Sequence, residues 1–244
     1  MGKYDVGTIH KTNKGYDILV IKKLKLRRVI IRFLDLFGCE KEVGTDEIFA
    51  GTVSNPYHKL ENSIGYLGEG LYKSKVNGIQ PKSYIVWKHM CNRSENSTNY
   101  NPTYKNVTVC EEWHNYQNFA KWYEYNLIED YELDKDLLQQ NVENKIYSPE
   151  TCIFLPKKVN GFLTNKQNSN TSGYIGVSWH KLTKKWSSTI SIFGLNRSLH
   201  LGLFDNIEEA SIAYQKARAE QAEKVKSYMR SLGHYSEEII QLIK

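Results

Sequence analysis

Between Gly173 and Ala217 the apolar residues switch from a period of two to a period of three or four, and this constrains the fold more than any other feature. The runs Gly173-Tyr-Ile-Gly-Val-Ser-Trp-His180, Trp186-Ser-Ser-Thr-Ile-Ser-Ile192 and Arg197-Ser-Leu-His-Leu-Gly202 read as three strands. Leu182-Thr-Lys-Lys185 and Phe193-Gly194 are the hairpin turns between them. One face collects Ile175, Val177, Trp186, Ser188, Ile190, Ile192, Leu199 and Leu201. The other collects Ser178, His180, Ser187, Thr189, Ser191, Ser198 and His200. A helix should follow, capped by Asp205 with Glu208 three residues on, and burying Ile207, Ala210, Ala213, Tyr214 and Ala217. Its small alanines allow a close approach to the apolar face. The hydroxyl and imidazole face then stays open, flanked by Lys181, Lys184, Lys185 and Arg197, and has the width to enter a major groove.

The charge balance is compatible with that partner. The chain of 244 residues carries a formal net charge of +6, and lysine and arginine neutralise phosphates and release their counterions. No apolar run of about 18 residues is present, so no membrane span is expected. The start lacks the basic flank and apolar stretch of a secretory signal, which points to the cytoplasm. Cys39, Cys91, Cys110 and Cys152 are scattered without a C-x-x-C pair, as expected of reduced thiols rather than a zinc site.

The first sixty residues read as β. The runs Tyr16–Val20 and Arg28–Leu34 are rich in β-branched and aromatic residues, and they flank the basic stretch Lys22-Lys-Leu-Lys-Leu-Arg-Arg28. A small barrel-like unit is expected. Its Lys22, Lys23, Lys25, Arg27 and Arg28 form either a phosphate-facing hairpin or a lysine-protected edge strand. Gly65-Tyr-Leu-Gly-Glu-Gly-Leu-Tyr72 lacks the spacing of a nucleotide loop and reads as a tight linker. Tyr84, Trp87, Lys88 and Cys91 predict one helix over Ser83–Asn92, followed by a polar loop over Asn92–Pro102. A second helix near Glu111–Tyr125 should bury Trp113, Tyr116, Phe119, Ala120, Trp122 and Tyr123, which recur at helical spacing.

The strings Gly-Tyr-Ile-Gly-Val-Ser-Trp, Lys-Trp-Ser-Ser-Thr-Ile, His-Leu-Gly-Leu-Phe-Asp and Glu-Glu-Ala-Ser-Ile-Ala-Tyr resemble the APETALA-two/ethylene-response-factor DNA-binding domain, in family order. The resemblance implies that the three-stranded sheet lies in the major groove of double-stranded DNA. The groove-facing positions would be Ile175, Ser178, His180, Thr189, Ser191, Ser198 and His200, with phosphate contacts from Lys181, Lys184, Lys185 and Arg197. Plant members place several arginines on this face. This chain has almost none, which implies weak bidentate readout of guanine and modest sequence preference.

Upstream, Tyr131-Glu-Leu-Asp-Lys-Asp-Leu-Leu138 and Lys145-Ile-Tyr-Ser-Pro-Glu-Thr-Cys-Ile-Phe-Leu-Pro-Lys-Lys-Val-Asn-Gly161 read as strand, turn, strand and helix start. They resemble the ββα-metal core of HNH endonucleases, in particular phage-borne homing-type proteins that join such a core to an APETALA-two-like domain. Trp87-Lys-His-Met, Tyr104-Lys-Asn-Val-Thr-Val-Cys-Glu-Glu-Trp113 and Phe119-Ala-Lys-Trp122 resemble that group as well.

The resemblance implies hydrolysis of DNA phosphodiester bonds with a divalent metal, Mg or Mn, held by Asp134 and Asn160. Where the family has its general-base histidine, this chain has Lys135, a residue type that is almost wholly protonated at neutral pH. His89 and His114 lie outside the motif.

The expected architecture is therefore multidomain α+β. It comprises an N-terminal β unit over 1–60, an HNH-like core with aromatic helices over 61–165, a three-stranded antiparallel sheet on one helix over 166–231, and a tail over 232–244 that packs on the body or pairs two subunits. Two functions stay open. One is a DNA-nicking endonuclease using Asp134, Lys135 and Asn160. The other is a non-catalytic DNA-binding regulator or inhibitor on a degenerate HNH scaffold, the inhibitor version adding a protein partner of unspecified kind.

Overall fold

The computed structural model describes residues 2–95, 106–163 and 171–244. Tyr104, the end of the polar loop Asn92–Pro102 and the start of the 166–231 stretch lie outside the described residues. The chain is mixed α+β and divides into two compact units, Met1–Tyr125 and Asn126–Lys244. The division falls inside the 61–165 stretch, leaving the aromatic helices in the first unit and Tyr131–Gly161 in the second.

The first unit opens with an antiparallel meander of β1 (Ile9–Lys11), β2 (Asp17–Lys23), β3 (Arg28–Phe33) and β4 (Glu40–Gly44). Alternation places Ile18, Val20, Val29, Ile31, Phe33 and Val43 on one face, where they form a core with Ile48 of α1 (Thr45–Ala50) and with Val53. The expected barrel does not form. The sheet order is β1-β2-β3-β4, and β1 has only three residues, too short an edge to close on β4. The apolar face is covered instead by α1 and the following segment. Lys22–Arg28 belongs to the β2–β3 hairpin; β1 pairs only with Asp17, Ile18 and Leu19 of β2, so Lys22 and Lys23 are paired with β3 alone.

The same unit holds α2 (Lys82–Glu95), a short strand β5 (Thr108–Val109), a 3-10 turn at Glu111–His114 and α3 (Tyr116–Asn126). Of the aromatics expected to be core, Trp113, Tyr116, Phe119 and Tyr123 are buried and Trp122 is partly buried; the expected helix from Glu111 is divided, Trp113 lying in the 3-10 turn, and Trp87 of α2 is fully buried as well. Gly65–Tyr72 is held against α3 by one side chain. The Gln117 amide donates to Leu67 O and Tyr72 O at 3.0 Å each and accepts from Tyr72 N at 2.9 Å. A Cβ at Gly70 would lie 2.2 Å from Gln117 Oε1, so glycine there serves close packing.

In the second unit β6 (Tyr131–Asp134) pairs antiparallel with β8 (Ile153–Pro156), Asp134 opposite Ile153. The short strand β7 (Ile146–Tyr147) lies between them in sequence, and α4 (Lys157–Leu163) starts directly after Pro156. β9 (Val177–His180), β10 (Lys185–Ser191) and β11 (Ser198–Phe204) then form an antiparallel sheet in the order β11-β10-β9. The helix α5 (Ile207–Leu232) covers one face of it.

Its cap is Asn206, whose Oδ1 accepts the Glu208 N–H at 2.7 Å, and not Asp205, which pairs with Lys185 at 3.1 Å. Helix and sheet meet closely at Gly176, where a Cβ would fall 2.1 Å from the Tyr214 ring.

At 26 residues, α5 is about 39 Å long and outruns the sheet. Its second half contributes Ala222, Val225 and Met229 to a core with Leu137, Leu155 and Val159 of the strand–strand–helix segment. Ile240, of α6 (Glu237–Gln241), and Ile243 complete that core. The tail from Gly233 therefore packs on the body, and the Tyr235 hydroxyl donates to Phe154 O at 2.7 Å. No helix among the described residues is long and apolar enough to cross a membrane.

Candidate nucleic-acid interface

The face of the β9–β11 sheet away from α5 is set by register. Ser187 pairs with Ser178, Lys185 with His180, Thr189 with His200 and Ser191 with Ser198, and residues directly opposite share a face. On β10 this face alternates with Ser188 and Ile190, which are buried. The sequence-expected Ser178, His180, Thr189, Ser191, Ser198 and His200 are thereby brought to one surface, with Ser187 and Lys185 beside them. Ile175 is not on a strand; it sits half exposed in the turn before β9.

A register irregularity between Ser188 and Thr189 pairs Ser188 with Gly202 and Thr189 with His200, so Leu201 has no partner on β10. Leu201 was expected in the apolar face. The extra residue instead puts Gly202 opposite Ser188, and Leu203, paired with Ser187, emerges among the hydroxyls. Strict alternation in the sequence carries no mark of such a bulge other than Gly202 itself, at φ 143.

The polar groups on this face make mostly short-range contacts. His180 Nδ1 lies 2.7 Å from Thr183 Oγ1, and His200 Nδ1 lies 3.4 Å from Ser187 Oγ. Lys181 and Lys184 are exposed in the β9–β10 turn, Lys184 at φ 54, and Arg197 is exposed at the start of β11. Lys185 differs from them, being tied to Asp205. The Trp179–Trp186 pair, rings 5.0 Å apart, lies on the opposite face, where Trp179 is half exposed.

The residues expected to form a metal site are arranged differently. Asp134 is buried at the end of β6, and its Oδ1 accepts the N–H groups of Asp136 at 2.9 Å and Leu137 at 2.7 Å. Burial raises its carboxyl above the ordinary value, and the two N–H bonds only partly oppose this. Lys135 donates to both Asp136 oxygens, at 2.8 and 3.0 Å, with its ammonium 5.5 Å from the centre of the Tyr147 ring. Lys145 reaches the same carboxylate at 2.6 Å. Burial alone would raise Asp136, but the two lysines outweigh it and hold the carboxyl below its ordinary value.

Asn160, on α4, donates to Glu132 Oε2 at 3.0 Å. Gln139, which sequence reasoning missed, is buried and bridges the loop: its amide donates to Lys135 O and Ile146 O, and its oxygen accepts from Ile146 N. Among the described residues no group of three His, Cys, Asp or Glu is placed to hold a metal ion. His89 and His114 belong to the first unit; His89 is exposed on α2, and His114 Nε2 faces Val109 O at 3.2 Å.

The donors expected for a one-metal hydrolytic site thus have other partners: Asp134 the turn, Lys135 a carboxylate, Asn160 a strand glutamate. Asp134 Oδ1 thereby holds the turn, and Lys135 stands as an ion-paired ammonium where the resemblance places a base. The thiols of Cys39, Cys91 and Cys152 are pushed up to about 12, chiefly by burial.

No family model, curated protein or solved structure matches this chain.

Proposed function

We propose that this chain is a double-stranded-DNA-binding protein whose C-terminal sheet lies in the major groove, with the strand–strand–helix segment serving as its rigid support. The observation that carries the reading is the open sheet face: hydroxyls and imidazoles on one surface, with cations at its turns that form no ion pair among the described residues, and a helix sealing the other side. Lys181, Lys184 and Arg197 are available for phosphates, whereas Ser178, Ser187, Thr189, Ser191, Ser198, His180 and His200 face the base edges. Hydroxyls and imidazoles read bases less discriminately than arginine forks, so specificity should be modest. With about three phosphates neutralised by these cations, affinity falls with salt at a log–log slope of about −2.7.

Cleavage is the competing reading, and the likeness of Tyr131–Gly161 to HNH cores is what speaks for it. Against it stands the engagement of Asp134, Lys135 and Asn160 described above. One experiment separates the two: supercoiled plasmid incubated with the protein and Mg²⁺ or Mn²⁺, read for retardation and for nicking. Binding without nicking is expected. Nicking that disappears in Asp134→Asn would overturn the non-catalytic reading, because asparagine can still accept the two backbone N–H bonds but is a poor metal ligand.

A further inference from the structure

We infer that the β2–β3 hairpin of the N-terminal unit is a second, separate contact for double-stranded DNA, with Lys22, Lys25 and Arg27 on phosphates and Leu26 reaching into the minor groove between them.

The argument begins with how the four-stranded sheet treats charge. Along its strands most cations are engaged: Arg28 with Glu42 at 2.9 Å, Arg32 with Glu40 at 3.0 Å, Lys11 with Asp17 at 3.7 Å, Lys23 with Asp5, and Lys41 with the Ser54 hydroxyl at 3.0 Å. From Lys22, near the end of β2, through the turn to Arg27 the pattern weakens. Lys22, Lys25 and Arg27 are exposed and form no ion pair among the described residues. Three like charges within six residues repel one another, so the tip is improved by an anionic partner.

The backbone adds a second observation. Leu26 and Arg27 both take left-handed conformations, at φ 57 and 59, although neither is a residue type that favours them. The result is a leucine 93% exposed at the outermost point of the hairpin. The two positive φ angles form the tight hairpin turn, closed by the Arg28 N–H on Lys25 O at 3.3 Å, a place where asparagine or glycine is the usual residue, and the leucine side chain there adds little packing to its own fold. A lone exposed leucine would mean little. The same arrangement recurs, however, in the β9–β10 hairpin of the proposed DNA-binding sheet. There Leu182 is 92% exposed between Lys181 and Lys184, and Lys184 is left-handed.

An apolar wedge flanked by cations suits a DNA groove, where phosphates lie on both sides of stacked base edges. It does not suit a bilayer, because one leucine per tip supplies too little apolar area for membrane attachment. Beside the tip lies an open hollow of about 830 Å³, lined by Lys3, Lys23, Arg27 and Arg28 against Asp5 and Asp46, so a passing phosphate strand meets net positive charge.

The inference leans on the DNA-binding reading of the C-terminal sheet for its analogy, but its test falls on other residues. The full chain is titrated against a labelled duplex of about 30 bp over about 50–400 mM salt, in parallel with anionic phospholipid vesicles. Lys22→Gln, Lys25→Gln and Arg27→Gln together should weaken binding about tenfold at 100 mM salt and reduce the log–log slope by about 2 to 3. Leu26→Asn, a residue that tolerates the left-handed turn, should weaken binding several-fold at an unchanged slope and leave the melting temperature intact.

The comparison variant is Lys181→Gln with Lys184→Gln. Loss of binding there, with the hairpin variants unchanged, overturns this inference and leaves the sheet reading standing. Loss only in the hairpin variants does the reverse. Vesicle binding without duplex binding, or no duplex binding at all, overturns both.

Discussion

Two polar stretches of the second unit treat their side chains in opposite ways. In the turn after β6, Asp134, Lys135, Asp136 and Gln139 face one another or the backbone, and three of the four are buried. On the open face of the β9–β11 sheet the hydroxyls and imidazoles point to solvent, and their contacts with one another are few. Residue types alone would rank the first stretch as the reactive one, since it carries more charge. Geometry reverses the ranking: a polar group that is satisfied internally holds the fold, and one left facing water is available to a ligand. The two stretches share one support, because α5 covers the sheet with its first half and completes the core of the strand–strand–helix segment with its second.

That shared support is where the largest effect is expected. Leu155→Ala and Met229→Ala each remove a fully buried side chain from the common core and should cost about 3 kcal/mol. Although neither residue touches the sheet's open face, both should lower the temperature at which DNA binding is lost, in step with the second unit's melting. A sheet that keeps binding DNA while the segment melts around Leu155 would break the comparison, since its two halves would then be independent domains.

Asp134 tests the inward-facing half directly. Asp134→Ala orphans the N–H groups of Asp136 and Leu137 and should cost about 2 kcal/mol, whereas Asp134→Asn can still accept both and should cost less than about 1. The pH dependence has a definite sign. Burial raises the folded-state carboxyl above 3.8, so the folded chain holds this proton more tightly than the unfolded one, and wild-type stability falls as pH rises through that window. Asparagine has no such proton. The gap between the variant and the wild type should therefore narrow as pH climbs above 4, measured by urea unfolding. A gap that widens would mean the carboxylate is stabilised where it sits, as a metal ligand in a loaded site would be.

Much of this was legible beforehand, for identifiable reasons. The sheet faces from Ser178 to His200 follow from a period-two pattern that burial of one side enforces. The aromatic core around Trp87, Trp113 and Phe119 follows from helical spacing. What stayed hidden depends on contacts remote in sequence. Met229 and Leu155 lie too far apart for local pattern to predict one core, so the chain read as separate domains. The capping role of Asp134 is invisible in a motif that assigns carboxylates to metal. Asn206 and Asp205 are both good caps, and only the position of Lys185 decides between them. Barrel closure failed for a reason of length, β1 being too short, that strand propensity does not report.

For the outward-facing half, the lysines of the β9–β10 turn should be unequal. Lys184→Gln removes a cation with no ion pair among the described residues and should reduce the salt slope of DNA binding by about 1, with a several-fold loss of affinity at low salt. Lys185→Gln removes a charge already opposed by Asp205, so a smaller change is expected, and Asp205→Asn should strengthen binding slightly. Equal effects at both positions would show that the ion pair opens on binding, and would move Lys185 back among the phosphate contacts.

The smallest effect concerns the other side of the same sheet. Ser188 is fully buried beneath α5, between strands where its neighbours are Val177 and Gly202, and its hydroxyl oxygen has no hydrogen-bond partner among the described residues. A buried hydroxyl without a partner forfeits its hydration for nothing, so Ser188→Ala should be neutral or stabilising by about 0.5–1 kcal/mol, with DNA affinity unchanged. Ser187, one residue along, points to the open face, and Ser187→Ala should leave stability unchanged while altering binding. Adjacent serines of identical chemistry would then divide by direction alone. Should Ser188→Ala instead destabilise the fold, the hydroxyl must bond to a water held between sheet and helix, and the covered face would be less dry than its alanines imply.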